Sequence, residues 1–119
     1  MQFLVVDQNI AFATLLSDEL ERLGHKGEIA TDGQRALASA KVDCPDMAFL
    51  DMGLGMSQVA TLGQALRSID ASMRLVIIPM NGEALPADVK ALSIQGTLPK
   101  PFFLPELPDR IEQALSEPL

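Results

Sequence analysis

The chain has no tryptophan or tyrosine, a single cysteine, a single histidine, and nine basic residues against sixteen acidic ones. Each shortage excludes something. Cys44 has no second thiol to pair with, and its neighbours Asp43 and Pro45 offer no cation to activate a thiolate, so the expected compartment is the cytoplasm. His25, in the turn "LGHKG", has no nearby partner for a metal site or a catalytic triad and reads as a solvated loop residue. A net charge of -7 repels phosphate backbones and anionic membranes, so direct contact with nucleic acid or a membrane surface is not expected. Met1 runs directly into the first apolar stretch with no basic leader, and no apolar span is long enough for a bilayer, so neither a signal peptide nor a membrane helix is expected.

What is present reads as one α/β domain over residues 1–119. The chain is 48% apolar, enough for a single core at this length. Short apolar runs, "FLVV" at 3–6, "EIA" at 28–30, "MAFL" at 47–50, "LVII" at 75–78 and "GTLP" at 96–99, read as five strands. Helical patterns lie between and after them. The first spans about 10–23, with Phe12, Leu16, Leu20 and Leu23 on one stripe and Gly24 as the stop. The second is expected over 34–40 after "TDG", the third over 59–69 on Leu62, Leu66 and Ile69, and the fourth over 86–94 behind Pro86. The last is spaced by Leu107, Ile111 and Ala114 or Leu115. Strict alternation with short connections implies a parallel sheet covered on both faces through right-handed crossovers.

In such a sheet, ligands bind at the carboxyl ends of the strands. Asp7 ends the first strand, Asp51 the third and Lys100 the fifth, so three residues remote in sequence are expected to meet at one edge. Two carboxylates and an ammonium there suit a phosphoryl group or a divalent metal.

The segments "FLVVDQN", "ATDGQRAL", "CPDMAFLDMGL" and "LPKPF", in this order and at fitting distances, resemble the receiver domain of two-component response regulators. The resemblance implies a flavodoxin-like, five-stranded parallel sheet in the order 2-1-3-4-5 with five helices. It implies that Asp51 accepts a phosphoryl group and that Lys100 pairs with the carboxylate and then with a phosphoryl oxygen. Asp7, Asp51 and the Gly53 carbonyl would hold magnesium, and the Lys100–Pro101 bond would be cis. The implied partners are a sensor histidine kinase or phosphotransfer protein and an output protein or domain, with a homodimer as an option. Such a domain is a signalling module and not an enzyme.

The sequence departs from the family pattern at several of these places. Gln8 replaces the second of two adjacent acids; its amide oxygen can still ligate magnesium weakly, but the metal site loses a full charge. The same loss relieves Asp51 of a like-charge repulsion of about 4 kcal/mol at ~4 Å and an effective dielectric near ~20. Pro79 and Met80 stand where the family has a hydroxyl and a small residue. Proline donates nothing, so a phosphoryl group would lose a charge-assisted hydrogen bond of about 1.5–3 kcal/mol, and Met80 would narrow the entrance. Thr97 replaces an aromatic that swings inward on activation, and the loop "DMGLGMSQ" lacks the usual proline and is one residue short.

Two readings stay open. In one, the chain is a phosphoacceptor that still uses Asp51; in the other it is a pseudo-receiver, an interaction module independent of phosphate. With Pro79 and Thr97 at the two ends of the family's switch, a partner or dimer contact on the face of the fourth helix, fifth strand and fifth helix is expected to be constitutive, involving Lys90, Ile94, Arg110 and Gln113. Enzymatic alternatives fare worse. "DQNIAFAT" has no glycine for a flavin phosphate loop, and Gly53 stands where a dehalogenase-type phosphatase needs a second carboxylate.

Overall fold

A computed structural model describes residues 1–79, 87–90, 92, 94, 96–98 and 106–116. Five strands, β1 (Gln2–Val6), β2 (Lys26–Ala30), β3 (Met47–Asp51), β4 (Arg74–Ile78) and β5 (Gly96–Thr97), form one sheet in the order β2-β1-β3-β4-β5. Every pairing is parallel. Among the described residues the helices are α1 (Ile10–Arg22), α2 (Gly33–Val42), α3 (Met56–Ile69), α4 (Ala87–Lys90) and α5 (Leu107–Ser116). The expected class, strand order and helix number all hold.

Side-chain alternation divides the core. Leu4, Val6, Ala48, Leu50, Leu75 and Ile77 point to one face and pack with α2, α3 and Val89 of α4. Phe3, Val5, Met47, Phe49, Val76 and Ile78 point to the other, against Ala13, Leu16 and Leu20 of α1 and Ile111 of α5. With both faces covered, β3 is buried along its whole length, which explains why it reads in sequence as an unbroken apolar run ending in a carboxylate.

The helix ends follow from local chemistry. Asn9 and Asp32 cap α1 and α2, accepting from Phe12 N at 3.2 Å and Arg35 N at 2.8 Å. α1 closes with His25 N donating to Leu20 O and Gly24 N to Glu21 O, both at 3.0 Å, while Gly24 takes a φ of 97° that a side chain would resist. At the amino edge of the sheet, Asp46 joins three strands: its Oδ2 accepts from Gln2 N, its N–H donates to Gln2 O, and its carbonyl accepts from Arg74 N.

Some boundaries differ from expectation. β2 starts two residues early, at Lys26, because an edge strand with exposed Lys26 and Glu28 carries no apolar run at its start. α3 starts at Met56, since polar Ser57 and Gln58 face solvent in its first turn. Described α4 spans 87–90 and β5 only Gly96–Thr97. His25 is half-buried and not a free loop residue: its Nδ1 lies 3.1 Å from the amino group of Met1. Ile94 is partly buried against the core cluster that includes α3 residues.

Candidate functional site

Register brings the strand ends together. Val6 of β1 pairs with Leu50 of β3, so Asp7 and Asp51, one residue further along each chain, end adjacent strands at the carboxyl edge. Both are buried, Asp7 completely and Asp51 with 6% exposure. Buried carboxylates are uncommon, and two on neighbouring strand ends, beside the buried apolar residues of β1 and β3, make this edge the candidate site. Asp7 is held from two directions: its N–H donates to Ala30 O at 3.1 Å, and its Oδ1 accepts from Asn9 N at 2.9 Å. Asn9 therefore both caps α1 and presents a backbone donor to Asp7, a role that the sequence reading missed. An Asp-x-Asn pattern at a strand end, ahead of a helix, was the available signal.

After Asp51 the chain makes a single 3-10 turn, Met52–Leu54, closed by Gly55 N donating to Met52 O at 3.0 Å. Met52 and Leu54 are buried in the core and Gly53 between them is exposed, so apolar anchors on both sides hold the glycine in place. A Cβ on Gly53 would sit 2.7 Å from Asp51 Oδ2. Glycine keeps that flank of the carboxylate clear. Gly55, with φ 108°, then redirects the chain into α3.

The residues in hand fit a hydrated magnesium ion. Asp7 and Asp51 supply hard anionic oxygens, and the bare Gly53 leaves room beside Asp51 Oδ2 and offers a backbone carbonyl. Magnesium keeps several waters and needs few protein ligands, and an all-oxygen set without His or Cys suits it better than zinc or iron. Among the described residues no group of three or more His, Cys, Asp and Glu side chains is placed to hold a metal. Gln8 is exposed beside Asp7 and contributes no charge.

Asp51 pairs in register with Ile78, which puts Pro79 at the adjoining end of β4, half-buried and without a donor. Thr97 pairs with Ile77 and is exposed. Met80, Lys100 and the Lys100–Pro101 bond lie outside the described residues, as do the side chains of Lys90 and Arg110. A groove of about 500 Å³ opens between α2 and α3, lined among others by Asp32, Leu37, Gln58 and Thr61. None of the strand-end residues belongs to it.

Residues 3–112 match the model of the response regulator receiver domain. The chain is 33% identical over 110 residues to a response regulator receiver protein of Anaeromyxobacter sp. (strain Fw109-5), covering 91% of this chain and 46% of that one. It is 28% identical over 113 residues to the virulence transcriptional regulatory protein PhoP of Salmonella typhimurium (strain 14028s / SGSC 2262), covering 94% and 50%. It thus spans about half the length of these curated relatives. Among solved structures, NtrX from Brucella abortus aligns with a TM-score of 0.85 at 25% identity, over 96% of this chain and 27% of that one. The chemotaxis response regulator CheY4 of Vibrio cholerae aligns with a TM-score of 0.82 at 24% identity, over 95% and 97%, a likeness of fold.

Proposed function

Because the chain belongs to the response regulator receiver family, we propose that its 119 residues form one receiver domain in which Asp51 accepts a phosphoryl group from a sensor histidine kinase or phosphotransfer protein. The observation that carries this reading is the buried Asp51 at the end of β3, with buried Asp7 beside it and a glycine at 53 where a Cβ would crowd its Oδ2. One Asp51 oxygen attacks the phosphorus of a phosphohistidine, the P–N bond breaks, and the imidazole leaves. Phosphoryl transfer depends more on positioning and charge neutralisation than on covalent help, and this chain supplies the positioning through Met52 and Leu54, which hold the turn after Asp51. Asp7, Asp51 and the Gly53 carbonyl would hold magnesium, whose charge offsets that of the incoming phosphoryl oxygens. Lys100 would pair with the carboxylate and then with a phosphoryl oxygen. The domain would act in the cytoplasm and pass the signal to an output protein or domain, or through a homodimer, and not directly to nucleic acid or a membrane.

Incubation with a small phosphodonor and magnesium, followed by intact mass, tests the reading. One added phosphoryl group, absent in Asp51→Asn, is the expected result; no gain in the unmodified chain refutes it.

A second reading is favoured by Pro79 and Thr97. Proline at the end of β4 has no hydroxyl to follow a phosphoryl group, and an exposed threonine on β5 has no ring to move inward. A ligand shifts an equilibrium only through contacts that differ between two states, and both of the usual contacts are missing. On this reading the domain is a phosphate-independent interaction module. Equal partner affinity for the unmodified chain and Asp51→Asn, under phosphodonor, would support it.

A further inference from the structure

We infer that Arg67 and Gly63 of α3 latch the carboxyl end of the α4 segment onto α3 and the α3–β4 connection, fixing the α4 face at the edge of the sheet remote from Asp51. The Arg67 guanidinium donates to three backbone carbonyls. Nε donates to Leu92 O at 3.0 Å, and Nη1 donates to Ala71 O at 3.0 Å and to Met73 O. Leu92 N in turn donates to Val89 O at 3.1 Å, so the residue whose carbonyl Arg67 binds is itself tied back to α4 by its amide. The other two carbonyls belong to the turn between α3 and β4, which Met73 N to Asp70 O and Ser72 N to Asp70 Oδ1 hold in shape. One planar cation thus ties a helix end to a rigid turn, a task that suits the fixed fork of arginine and not the single point of a lysine.

Packing reinforces the polar contacts. Val89 and Leu92 are buried in the core cluster shared with Leu62 and Leu66 of α3. Gly63 has no side chain where Leu92 comes down: a Cβ there would overlap the leucine's methyl groups. The approach of Leu92 to the α3 backbone and its bond to Arg67 are therefore one arrangement, with the glycine setting the distance and the arginine the register. Burial lowers the Arg67 pKa from its usual value while Asp70 acts to raise it. The latch does not depend on any chemistry at Asp51.

Hydrogen exchange on the full chain tests it. Arg67→Met keeps the aliphatic stem and removes the hydrogen bonds to the three carbonyls, so exchange over residues 87–92 is expected to rise at least tenfold while β1 and β3 stay protected. Arg67→Lys should loosen the same segment less. Gly63→Ala, which leaves Arg67 in place and displaces Leu92, should loosen it independently. Unchanged exchange over 87–92 in both Arg67→Met and Gly63→Ala would overturn the inference. So would a rise of equal size in every strand, since that would mean a loss of global stability and not the release of one segment.

Discussion

At the residue scale, the decisive contrast is between Asp7 and its neighbour Gln8. Asp7 is buried and hydrogen-bonded, whereas Gln8 is exposed and uncharged, so the pair offers one anion where the family pattern offers two. Gln8→Asp should tighten magnesium binding by at least tenfold, measured by calorimetry or NMR shifts, because a hard dication gains most from a full negative charge. His25 makes a second, separate prediction. Its Nδ1 accepts from the Met1 ammonium, and burial together with that neighbouring charge pushes its pKa below the usual value. The unfolded chain therefore binds a proton more readily than the folded one, and stability falls as pH drops below about 6.5, the unperturbed value, until the folded imidazole also protonates. His25→Gln should flatten the fall in urea midpoint that sets in below about pH 6.5, the unperturbed histidine value. Of these residues, Asp7 and Asp51 were legible in sequence because a charge ending a buried strand stands out. The contact of His25 was not legible, since it joins residues that only the pairing of β1 with β2 brings together.

At the element scale, what could be read from sequence was whatever a single element determines by itself. β1, β3 and β4 are buried on both faces and announce themselves as apolar runs; α1 shows its stripe, its cap and its closing glycine. β2 has one exposed edge and α4 is held by contacts with other elements, so neither shows its ends in the sequence. Close approaches were invisible for the same reason. Gly27 of β2 sits where a Cβ would overlap the Phe3 carbonyl and come within 2.6 Å of the Phe3 ring, so the spacing of β2 against β1 depends on a missing side chain. Gly27→Ala is expected to lower stability by more than about 2 kcal/mol, seen as a fall in urea midpoint, because neither strand backbone can retreat without breaking the ladder. Gly33, whose Cβ would meet nothing, is the matched control.

At the scale of the whole molecule, Asp51 ends β3 at the carboxyl edge of the sheet, while Arg67 binds the Leu92 carbonyl beyond α4. The usual link runs through a hydroxyl at 79 and an aromatic at 97; here Pro79 and Thr97 stand at those places, and Arg67 holds the α4 end from the opposite edge. Beryllofluoride treatment should therefore change partner affinity or self-association less than tenfold, about 1.4 kcal/mol of coupling, relative to the untreated chain. A larger change, lost in Asp51→Asn, would restore a phosphate-driven switch. The layout has a practical side as well. The molecule is optically silent where tryptophan and tyrosine absorb, yet its one thiol, exposed Cys44, lies in the α2–β3 connection, across the full height of the sheet from Asp51. Burial and the surrounding Asp70, Asp46 and Asp43 raise its pKa, so its thiolate fraction at neutral pH is small and a maleimide dye couples slowly but selectively there, given a long incubation. A single fluorophore can thus be installed where it leaves the phosphoacceptor edge untouched.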